Sequence, residues 1–222
     1  MTAADFDLVA EALACRRGER LVFAGLSFRL AAGGAVILSG ANGSGKTSLL
    51  RMLATLIAPA AGYLLWGTRP VGADSAAYRA QLDFIGHLDG VKPGLTPRET
   101  LTFWAALRGI EAQRVRGLVP AALAAFALEP VADWPCRWLS AGQRRRVALA
   151  RLVAAAAPVW LLDEPTSALD REAQMRLERA IAEHRASGGR VVVATHTPID
   201  IENAAVLTLE TFVPSTDDAV AG

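Results

Sequence analysis

The chain has 222 residues and a mass of 23.4 kDa, enough for one α/β core with a small helical insert. Its formal net charge of +1 argues against a broad nucleic-acid-binding surface, which needs a basic face. The apolar fraction of 52% is high, but much of it is alanine, and no apolar run reaches the roughly 18 residues of a membrane span.

Two further features of the sequence predict a cytoplasmic chain. The first residues include Asp5 and Asp7 and lack the basic start and apolar core of a secretory signal, so we expect none. The two cysteines, Cys15 and Cys136, lie far apart without metal-ligand spacing, and we expect reduced thiols. If the chain acts at a membrane, a partner must supply the spanning helices.

In the first part of the chain, the sequence pattern predicts several strands and, between two of them, one helix. The predicted strands are residues 6–14, 21–30, 35–39, 63–66 and 82–86, and the predicted helix is 46–56. From Thr96 the pattern becomes helical, with Thr96 as the cap, Pro97 at the first helical position and Glu99 at the capping-box position. This helical pattern continues to residue 128, and we expect interruptions at Gly109, Gly117 and Pro120.

After a predicted loop at 130–138, a second α/β block follows. Its predicted helices are residues 141–157 and 170–186, and its predicted strands are 159–163, 190–195 and 205–209. Residues 211–222 are polar and are expected to be frayed. The layout predicts an α/β core interrupted by a mostly helical insert of roughly fifty residues.

A glycine-rich loop lies between the strand at 35–39 and the helix that follows it. Its sequence is Gly40-Ala41-Asn42-Gly43-Ser44-Gly45-Lys46-Thr47. The glycines let backbone N–H groups wrap around phosphate oxygens at the helix N-terminus. We expect Lys46 to bridge the terminal phosphates and Thr47 to ligate Mg²⁺ through its hydroxyl. Taken alone, the loop predicts only that the chain binds a nucleoside triphosphate.

A carboxylate pair follows a strongly apolar strand. Residues 159–163 form the run Val-Trp-Leu-Leu-Asp, typical of a buried parallel strand whose acid lies at the C-terminal edge of the sheet. Asp163 is the expected outer partner of Mg²⁺. Glu164 can accept a hydrogen bond from the attacking water and orient it toward the γ-phosphate. Pro165 ends the strand.

The segment Leu139-Ser140-Ala141-Gly142-Gln143 opens the predicted helix at 141–157, just before the predicted strand at 159–163. Ser140 and the first-turn amides are a candidate anion site. Arg144, Arg145 and Arg146 then place positive charge where the helix dipole disfavours it by a few tenths of a kcal/mol, unless an anion docks there. For this triplet, a solvated basic face is the simpler interpretation and phosphate contact is the alternative. One copy cannot complete such a site, so we expect two copies to meet face to face.

Three histidines receive different interpretations. His196 follows the strand at 190–195, where it can hydrogen-bond a γ-phosphate and respond to its loss. His184 lies on a helix rich in arginine and glutamate and is predicted to be an ordinary exposed residue. His87 follows the strand at 82–86, and its chemistry alone fits a turn residue or a site residue equally well.

With these residues identified, nearly the whole chain resembles the nucleotide-binding subunits of ABC transporters. The matching motifs are the Walker A loop at 40–47, the signature at 139–143, the end of Walker B at 161–164, the D-loop Ser167-Ala168-Leu169-Asp170 and the switch histidine His196. Ala141 replaces the usual second-position glycine of the signature. The resemblance implies the ABC ATPase fold, with a P-loop NTPase core, a mostly parallel sheet, an N-terminal antiparallel β region and an inserted helical subdomain.

The same resemblance implies one ABC ATPase domain over residues 1–222. Within it we expect a RecA-like core at about 1–87 and 159–210, a helical signature subdomain at about 88–158 and a disordered tail at 211–222. It also implies two ATP molecules, each with Mg²⁺, held between two subunits. The implied nucleotide contacts are the loop residues 40–47 with Ser48 and Arg17 in one subunit, and Ser140, Gly142, Gln143 and Asp170 facing them across the seam. Glu164, His196 and His87 are the implied catalytic residues, and hydrolysis lets the pair reopen.

Two positions depart from the family pattern. His87 stands where the family has a glutamine that touches Mg²⁺ or the attacking water and links the site to the membrane partner. An imidazole can do part of this, with a pH dependence near neutrality. Arg17 stands where an aromatic side chain stacks on adenine; a guanidinium plane can also stack on a base.

Finer details resemble the cytochrome c maturation ATPase family, CcmA. The shared features are compact size, Gly86-His87-Leu88, the run Leu-Ser-Ala-Gly-Gln-Arg-Arg-Arg at 139–146, and Thr195-His196-Thr197-Pro198. Membership implies a multi-span membrane subunit as partner and a peripheral position on the cytoplasmic face of the bacterial inner membrane. There, ATP turnover is coupled to haem export or handling for c-type cytochromes, with the substrate contacted by the membrane partner.

Other functions stay open at this point. ATP binding could gate release or assembly of the same complex, or the ATPase could serve another substrate. A non-transport ABC ATPase acting on DNA or the ribosome is disfavoured, because the chain has no long coiled coil, no second cassette and a near-neutral charge. We expect residues 88–97 and the helical insert to dock the membrane subunit, with Lys92 and Arg98 in this region.

Overall fold

A computed structural model of the protein describes residues 6–213, so the tail prediction for 214–222 lies outside the described residues. The chain forms nine strands and six α-helices in this range. The strands are β1 Leu8–Arg17, β2 Arg20–Leu30, β3 Ala35–Ser39, β4 Ala61–Trp66, β5 Arg69–Pro70, β6 Leu82–Ile85, β7 Val159–Asp163, β8 Arg190–Ala194 and β9 Ala205–Thr208. The helices are α1 Lys46–Leu53, α2 Ser75–Arg79, α3 Pro97–Leu107, α4 Ala112–Ala125, α5 Ala141–Ala154 and α6 Arg171–Ala186.

A five-stranded parallel sheet forms the centre of the molecule, in the order β6-β7-β8-β3-β9. Strands β7 and β8 are buried along their whole length, which explains their continuous apolar sequences. Because all five strands run in one direction, the ends of β3, β6, β7 and β8 meet at one edge. The residues that follow these four strands build the candidate site.

A second sheet contains β2, β1, β4 and β5, and all its strand pairs are antiparallel. Apolar side chains from this sheet, α1 and one face of the parallel sheet form one hydrophobic cluster. A second cluster joins the other face to α3, α4, α5 and α6, including Trp160 and Leu162 of β7. The predicted fold class is therefore confirmed: a mostly parallel core, an N-terminal antiparallel region and a helical insert.

The starts of three helices follow the sequence closely. Thr96 accepts a hydrogen bond from the Glu99 amide, and the Glu99 carboxylate accepts one from the Thr96 amide, forming the predicted capping box of α3. Ser140 and Gln143 form the same reciprocal pair at the start of α5. Asp170 caps α6 by accepting from the Ala173 amide.

Two expected helix interruptions are wrong. Gly117 and Pro120 both lie inside α4, although each disfavours a helix interior. Val119, Ala122 and Leu123 are buried against the insert core, and this packing outweighs the local preference. The interruption at Gly109 is confirmed, because α3 ends just before it with a left-handed glycine.

Smaller differences occur in the connecting segments. The predicted loop at 130–138 contains two short 3₁₀ turns, Glu129–Val131 and Cys136–Trp138. The prediction that residues 211–222 are frayed is wrong for residues 211 and 212, because Leu209–Phe212 forms a 3₁₀ turn. Leu209 is buried and Phe212 packs against the same cluster, which holds this turn on the core. Within the described part of the chain, none of the helices has the length and apolarity needed to cross a bilayer.

Candidate functional site

The phosphate-binding loop connects β3 to α1 in the arrangement expected from its sequence. Gly40, Gly43 and Gly45 have positive φ angles of 142°, 86° and 105°, which residues with a Cβ rarely adopt. A Cβ on Gly45 would also lie 2.9 Å from side-chain atoms of Val22 and Phe23. The loop must therefore carry glycine here both for its turn and for its close approach to the antiparallel sheet.

Lys46 lies at the start of α1 and is only 7% exposed. Its ammonium donates hydrogen bonds to the carbonyl oxygens of Gly40 and Ala41, so it is held over the loop that it closes. A positive charge therefore lies beside the loop and at the N-terminus of α1. Both features favour an anion.

Arg17, the expected base-stacking residue, lies at the end of β1. Its guanidinium donates from Nε and Nη2 to the Ser48 hydroxyl of α1, at 3.1 and 2.7 Å. Ser48 is fully buried, whereas Arg17 is exposed. A planar cation is thus tied to the first turn of the helix that follows the phosphate loop.

Asp163 ends β7 beside the phosphate loop. Its carboxylate accepts a hydrogen bond from the Thr47 hydroxyl at 3.1 Å, joining residues 116 positions apart. Burial raises the pKa of Asp163 and Glu164 adds to the shift, while the Thr47 hydrogen bond, Arg51 and His87 oppose it. A hydroxyl and a carboxylate in contact are oxygen ligands of the type Mg²⁺ prefers, so this pair fits the ion.

Glu164 follows Asp163 with a left-handed backbone, φ 47°. Its amide donates to the Ala194 carbonyl at 2.8 Å, while its carboxylate lies 2.8 Å from His196 Nδ1. The His196 amide also donates to Glu164, at 3.4 Å. The structure therefore brings together two of the three expected catalytic residues, one from the end of β7 and one from the end of β8. His87 is exposed after β6 and lies near enough to Asp163 to affect its pKa.

The N-terminus of α5 holds Ser140, Gly142 and Gln143. The Ser140 hydroxyl and the Gln143 carboxamide are engaged in the capping box described above. Gly142 packs against the segment before α6, since a Cβ there would lie 2.8 Å from the Ala168 carbonyl oxygen. The Asp170 carboxylate caps α6 in the same region. The signature and the D-loop thus form one continuous surface of this chain.

The interpretation of the arginine triplet as a solvated basic face is wrong. Arg145 is 1% exposed and donates hydrogen bonds to the strand ends around the site. Arg144 donates to the Leu139 carbonyl, and Arg146 donates to the carbonyls of Phe126 and Ala127. All three cations neutralise backbone dipoles within the chain. Their acceptors are remote in sequence or lie at a helix end, so the local charge pattern could not reveal them.

His184 is not an ordinary exposed residue. Its ring stacks on Trp160 with centroids 3.8 Å apart and planes 4° apart, and its Nε2 is buried. Burial lowers the pKa of His184 to about 4. The arginines and glutamates of α6 suggested a solvated helix, but the position of His184 next to β7 and β8 decides its environment.

Sequence reasoning also missed Glu210. This residue lies in the 3₁₀ turn after β9, and its carboxylate accepts a hydrogen bond from the Ala41 amide of the phosphate loop. That hydrogen bond is the main reason the pKa of Glu210 is lowered, followed by a bond from its own amide. No local pattern marks a glutamate 169 residues from its partner; only the pairing of β9 with β3 brings them together.

Comparison with known proteins finds relatives of this chain. The family model described as ABC transporter matches residues 23–167. A protein of Rhodospirillum rubrum named cytochrome c biogenesis ATP-binding export protein CcmA is 57% identical over 204 residues, 92% of this chain and 86% of that protein. A Pseudomonas putida protein of the same name is 47% identical over 193 residues, 87% of this chain and 90% of the relative.

Solved structures show the same fold. One described as the ATP-binding subunit of an ABC transporter superposes with a TM-score of 0.78 at 25% identity, over 85% of this chain and 79% of that one. A putative ABC transporter ATP-binding protein from Pyrococcus furiosus gives a TM-score of 0.80 at 21% identity, over 94% of this chain and 100% of that one.

Proposed function

The chain belongs to the ABC transporter family, and within it to the cytochrome c biogenesis ATP-binding export proteins; we propose that it energises haem export or handling during c-type cytochrome assembly. It binds and hydrolyses ATP as the ATP-binding subunit of an ABC complex. The names of the relatives support export in cytochrome c biogenesis, and the matches cover 86% and 90% of the lengths of the Rhodospirillum rubrum and Pseudomonas putida proteins. Haem as the exported molecule is part of the proposal. The observation that carries the proposed mechanism is the 2.8 Å contact between Glu164 and His196, beside the Thr47–Asp163 pair.

We assign each step to residues of this chain. The loop amides and Lys46 bind the phosphates, and Thr47 and Asp163 are the proposed ligands of Mg²⁺. When bound, the metal neutralises charge on the phosphate oxygens. The Glu164 carboxylate accepts a hydrogen bond from the attacking water and points it at the γ-phosphate. His196 holds that carboxylate from the other side and is placed to contact the phosphate.

The proposed site is completed by a second copy. In one copy the carboxylates and the phosphate loop lie at the ends of the parallel strands, while Ser140 and Gly142 lie at the start of α5. The positive end of the helix dipole at the α5 N-terminus supports its docking on the γ-phosphate bound to another copy. We also propose Asp170, Gln143, Arg17, Ser48 and His87 as site residues, and a division into a core at about 1–87 and 159–210 with a helical subdomain at 88–158.

The proposed partners and location follow from the family. An ATP-binding subunit of this type works with a membrane subunit and dimerises. We place this one on the cytoplasmic face of the bacterial inner membrane, bound to a multi-span subunit that contacts the haem. The alternative, ATP-gated release or assembly of the same complex, predicts partner release without haem passage. Reconstitution with the membrane subunit separates these two hypotheses when haem passage and partner release are each measured per ATP hydrolysed.

The catalytic assignment is tested with Glu164→Gln. Removing the charge that orients the water is expected to lower kcat by about 10²-fold or more, while ATP binding persists. With Mg²⁺ and ATP the variant should form a stable dimer, measured by sedimentation or light scattering. The matched control is Glu172→Gln, which changes an exposed glutamate on α6 that pairs with Arg176. Parent-like hydrolysis by Glu164→Gln would exclude the water-orienting role, and a monomer at saturating nucleotide would exclude the shared site.

A further inference from the structure

Arg145 sits at a junction of three segments that meet around the proposed catalytic residue. Its side chain is 2% exposed, and its guanidinium donates five hydrogen bonds. The acceptors are the carbonyl oxygens of Gly86, Asp163, Glu164 and Pro165 and the carboxylate of Asp89. A planar fork of N–H groups can serve several acceptors at fixed angles, which an ammonium cannot do.

One branch of this fork holds the backbone of Glu164. Nη2 donates to the carbonyls of Asp163 at 3.0 Å and Glu164 at 2.7 Å, and Nε donates to Pro165 at 3.3 Å. Glu164 has the left-handed conformation that side-chain sterics disfavour, so surrounding contacts must maintain it. The bond from Arg145 to the Glu164 carbonyl and the bond from the Glu164 amide to Ala194 fix the peptide groups on both sides. This backbone aims the carboxylate at His196.

The other branch holds the segment that contains His87. Nη1 donates to the Gly86 carbonyl at 3.0 Å and to the Asp89 carboxylate at 3.2 Å, on either side of His87. The exposed His87 itself makes none of these bonds, yet its loop is fixed to the same guanidinium. Movement of this loop is therefore transmitted to the Glu164 peptide through one rigid group.

The third element is α5 itself, which carries Arg145 in its second turn. Gln143 and Ser140 cap this helix two and five residues earlier, and Gly142 packs on the Ala168 carbonyl. A shift or rotation of α5 against β7 must displace the guanidinium from the three carbonyls at the strand end. The position of the signature helix and the conformation of Glu164 are thus mechanically linked.

We propose that Arg145 is a positioning residue, which orients the Glu164 carboxylate for hydrolysis only when α5 and the His87 segment are in their correct places. The proposal rests on the proposed function, since it requires Glu164 to orient the water. A purely structural role would make Arg145 important for folding alone. The two roles differ in what happens to kcat in folded protein.

The test compares Arg145→Lys with Arg146→Lys in the full-length chain. Lysine keeps the charge of Arg145 but cannot serve both branches, so kcat for ATP is expected to fall at least about tenfold, as small misplacements of a reacting group do. The KM for ATP should stay within about threefold, because Lys46 and the loop are untouched. Arg146 is a partly buried neighbour that donates to the carbonyls of Phe126 and Ala127, just after α4, and Arg146→Lys should retain the parent kcat.

A double variant distinguishes positioning from folding. If Arg145 acts through Glu164, adding Arg145→Lys to Glu164→Gln should slow residual hydrolysis by less than twofold; multiplied losses would overturn the proposal. A parent-like kcat for Arg145→Lys would also overturn it. If Arg145→Lys does not fold, Asp89→Ala removes the carboxylate that accepts the hydrogen bond from Nη1 and leaves the other four bonds of Arg145 in place. In that variant an unchanged kcat refutes the linkage, and a loss of threefold or more at unchanged KM supports it.

These results are separable from a failure of the proposed function. Parent-like activity of Glu164→Gln would show that the water-orienting residue is misassigned, whatever Arg145 does. An inactive Glu164→Gln together with a fully active Arg145→Lys would leave the proposed function standing and reject the positioning role alone.

Discussion

Acid should weaken this fold through His184, and removing that histidine should remove part of the effect. The ring lies against Trp160, and its Nε2 edge lies so close to Gly189 that an added Cβ there would be only 2.1 Å away. Burial lowers the pKa of His184 from 6.5 to about 4, and the nearby charge of Arg190 acts in the same direction. Backbone hydrogen bonds with Arg190 and Pro158 oppose the shift without cancelling it.

The sign and size of the change in the free energy of unfolding follow from the pKa values of His184 in the unfolded and folded chain. Because the folded pKa is lower, the unfolded chain takes up the proton first, so stability is fully present above pH 6.5 and is lost as pH falls toward 4. Between pH 7 and pH 5 the loss from this one group is about 2 kcal/mol. That is a large fraction of the roughly 5–15 kcal/mol stability of an ordinary domain.

The assay is urea unfolding of the parent and of His184→Gln at pH 7 and at pH 5. Glutamine has a similar length and no charge, so the variant should lose about 2 kcal/mol less than the parent between the two pH values. Its lower stability at pH 7, from the lost stacking on Trp160, does not enter this difference. Asp83 and Asp163, whose pKa values burial raises, titrate alike in both proteins. If parent and variant lose the same free energy of unfolding between pH 7 and pH 5, the conclusion that His184 is buried and neutral is refuted.

Two other predictions concern the helical insert. Gly117→Ala should raise the free energy of unfolding by about 1 kcal/mol in urea titrations, because Gly117 is exposed inside α4 and an added Cβ meets no atom within 4 Å. An unchanged or lower free energy of unfolding would mean that α4 is not helical at this position. Lys92→Glu should weaken co-purification with the membrane subunit at unchanged ATP affinity, since Lys92 is exposed near the Phe103 ring. Equal loss of co-purification and of ATP affinity would indicate misfolding. Arg98 is a poorer probe, because it forms two hydrogen bonds with Asp133 inside the insert.

Elements with strong local signals were predicted well. The strands Ala35–Ser39 and Val159–Asp163 match their predicted bounds, since continuous apolar runs end at a glycine loop and at a proline. The capping box of α3 was predicted because its three residues lie within one turn. In contrast, Pro120 was interpreted as a helix interruption on local grounds. Packing of its buried neighbours keeps α4 continuous through it.

The environment of single side chains was predicted less well. His184 was assigned to a solvated surface because arginine and glutamate surround it, and a solvated basic face was the simpler interpretation of Arg145 between two other arginines. In the structure one stacks on Trp160, and the other reaches carbonyls of residues 86 and 163–165. Exposure depends on which elements pack on a helix face, and the sequence of one helix contains little information about its neighbours.

The sequence by itself determined the order of the longer strands and helices, though not the short β5 and α2, and the chemistry of the phosphate loop and the two carboxylates, because turn formation, capping and periodicity act over a few residues. Only the tertiary structure decided which of these groups meet. The contacts of Thr47 with Asp163, Glu164 with His196 and Glu210 with Ala41 all depend on the strand order β6-β7-β8-β3-β9. That order results from the packing of buried faces over the whole chain, since each strand end is placed by its neighbours in the sheet rather than by adjacent residues.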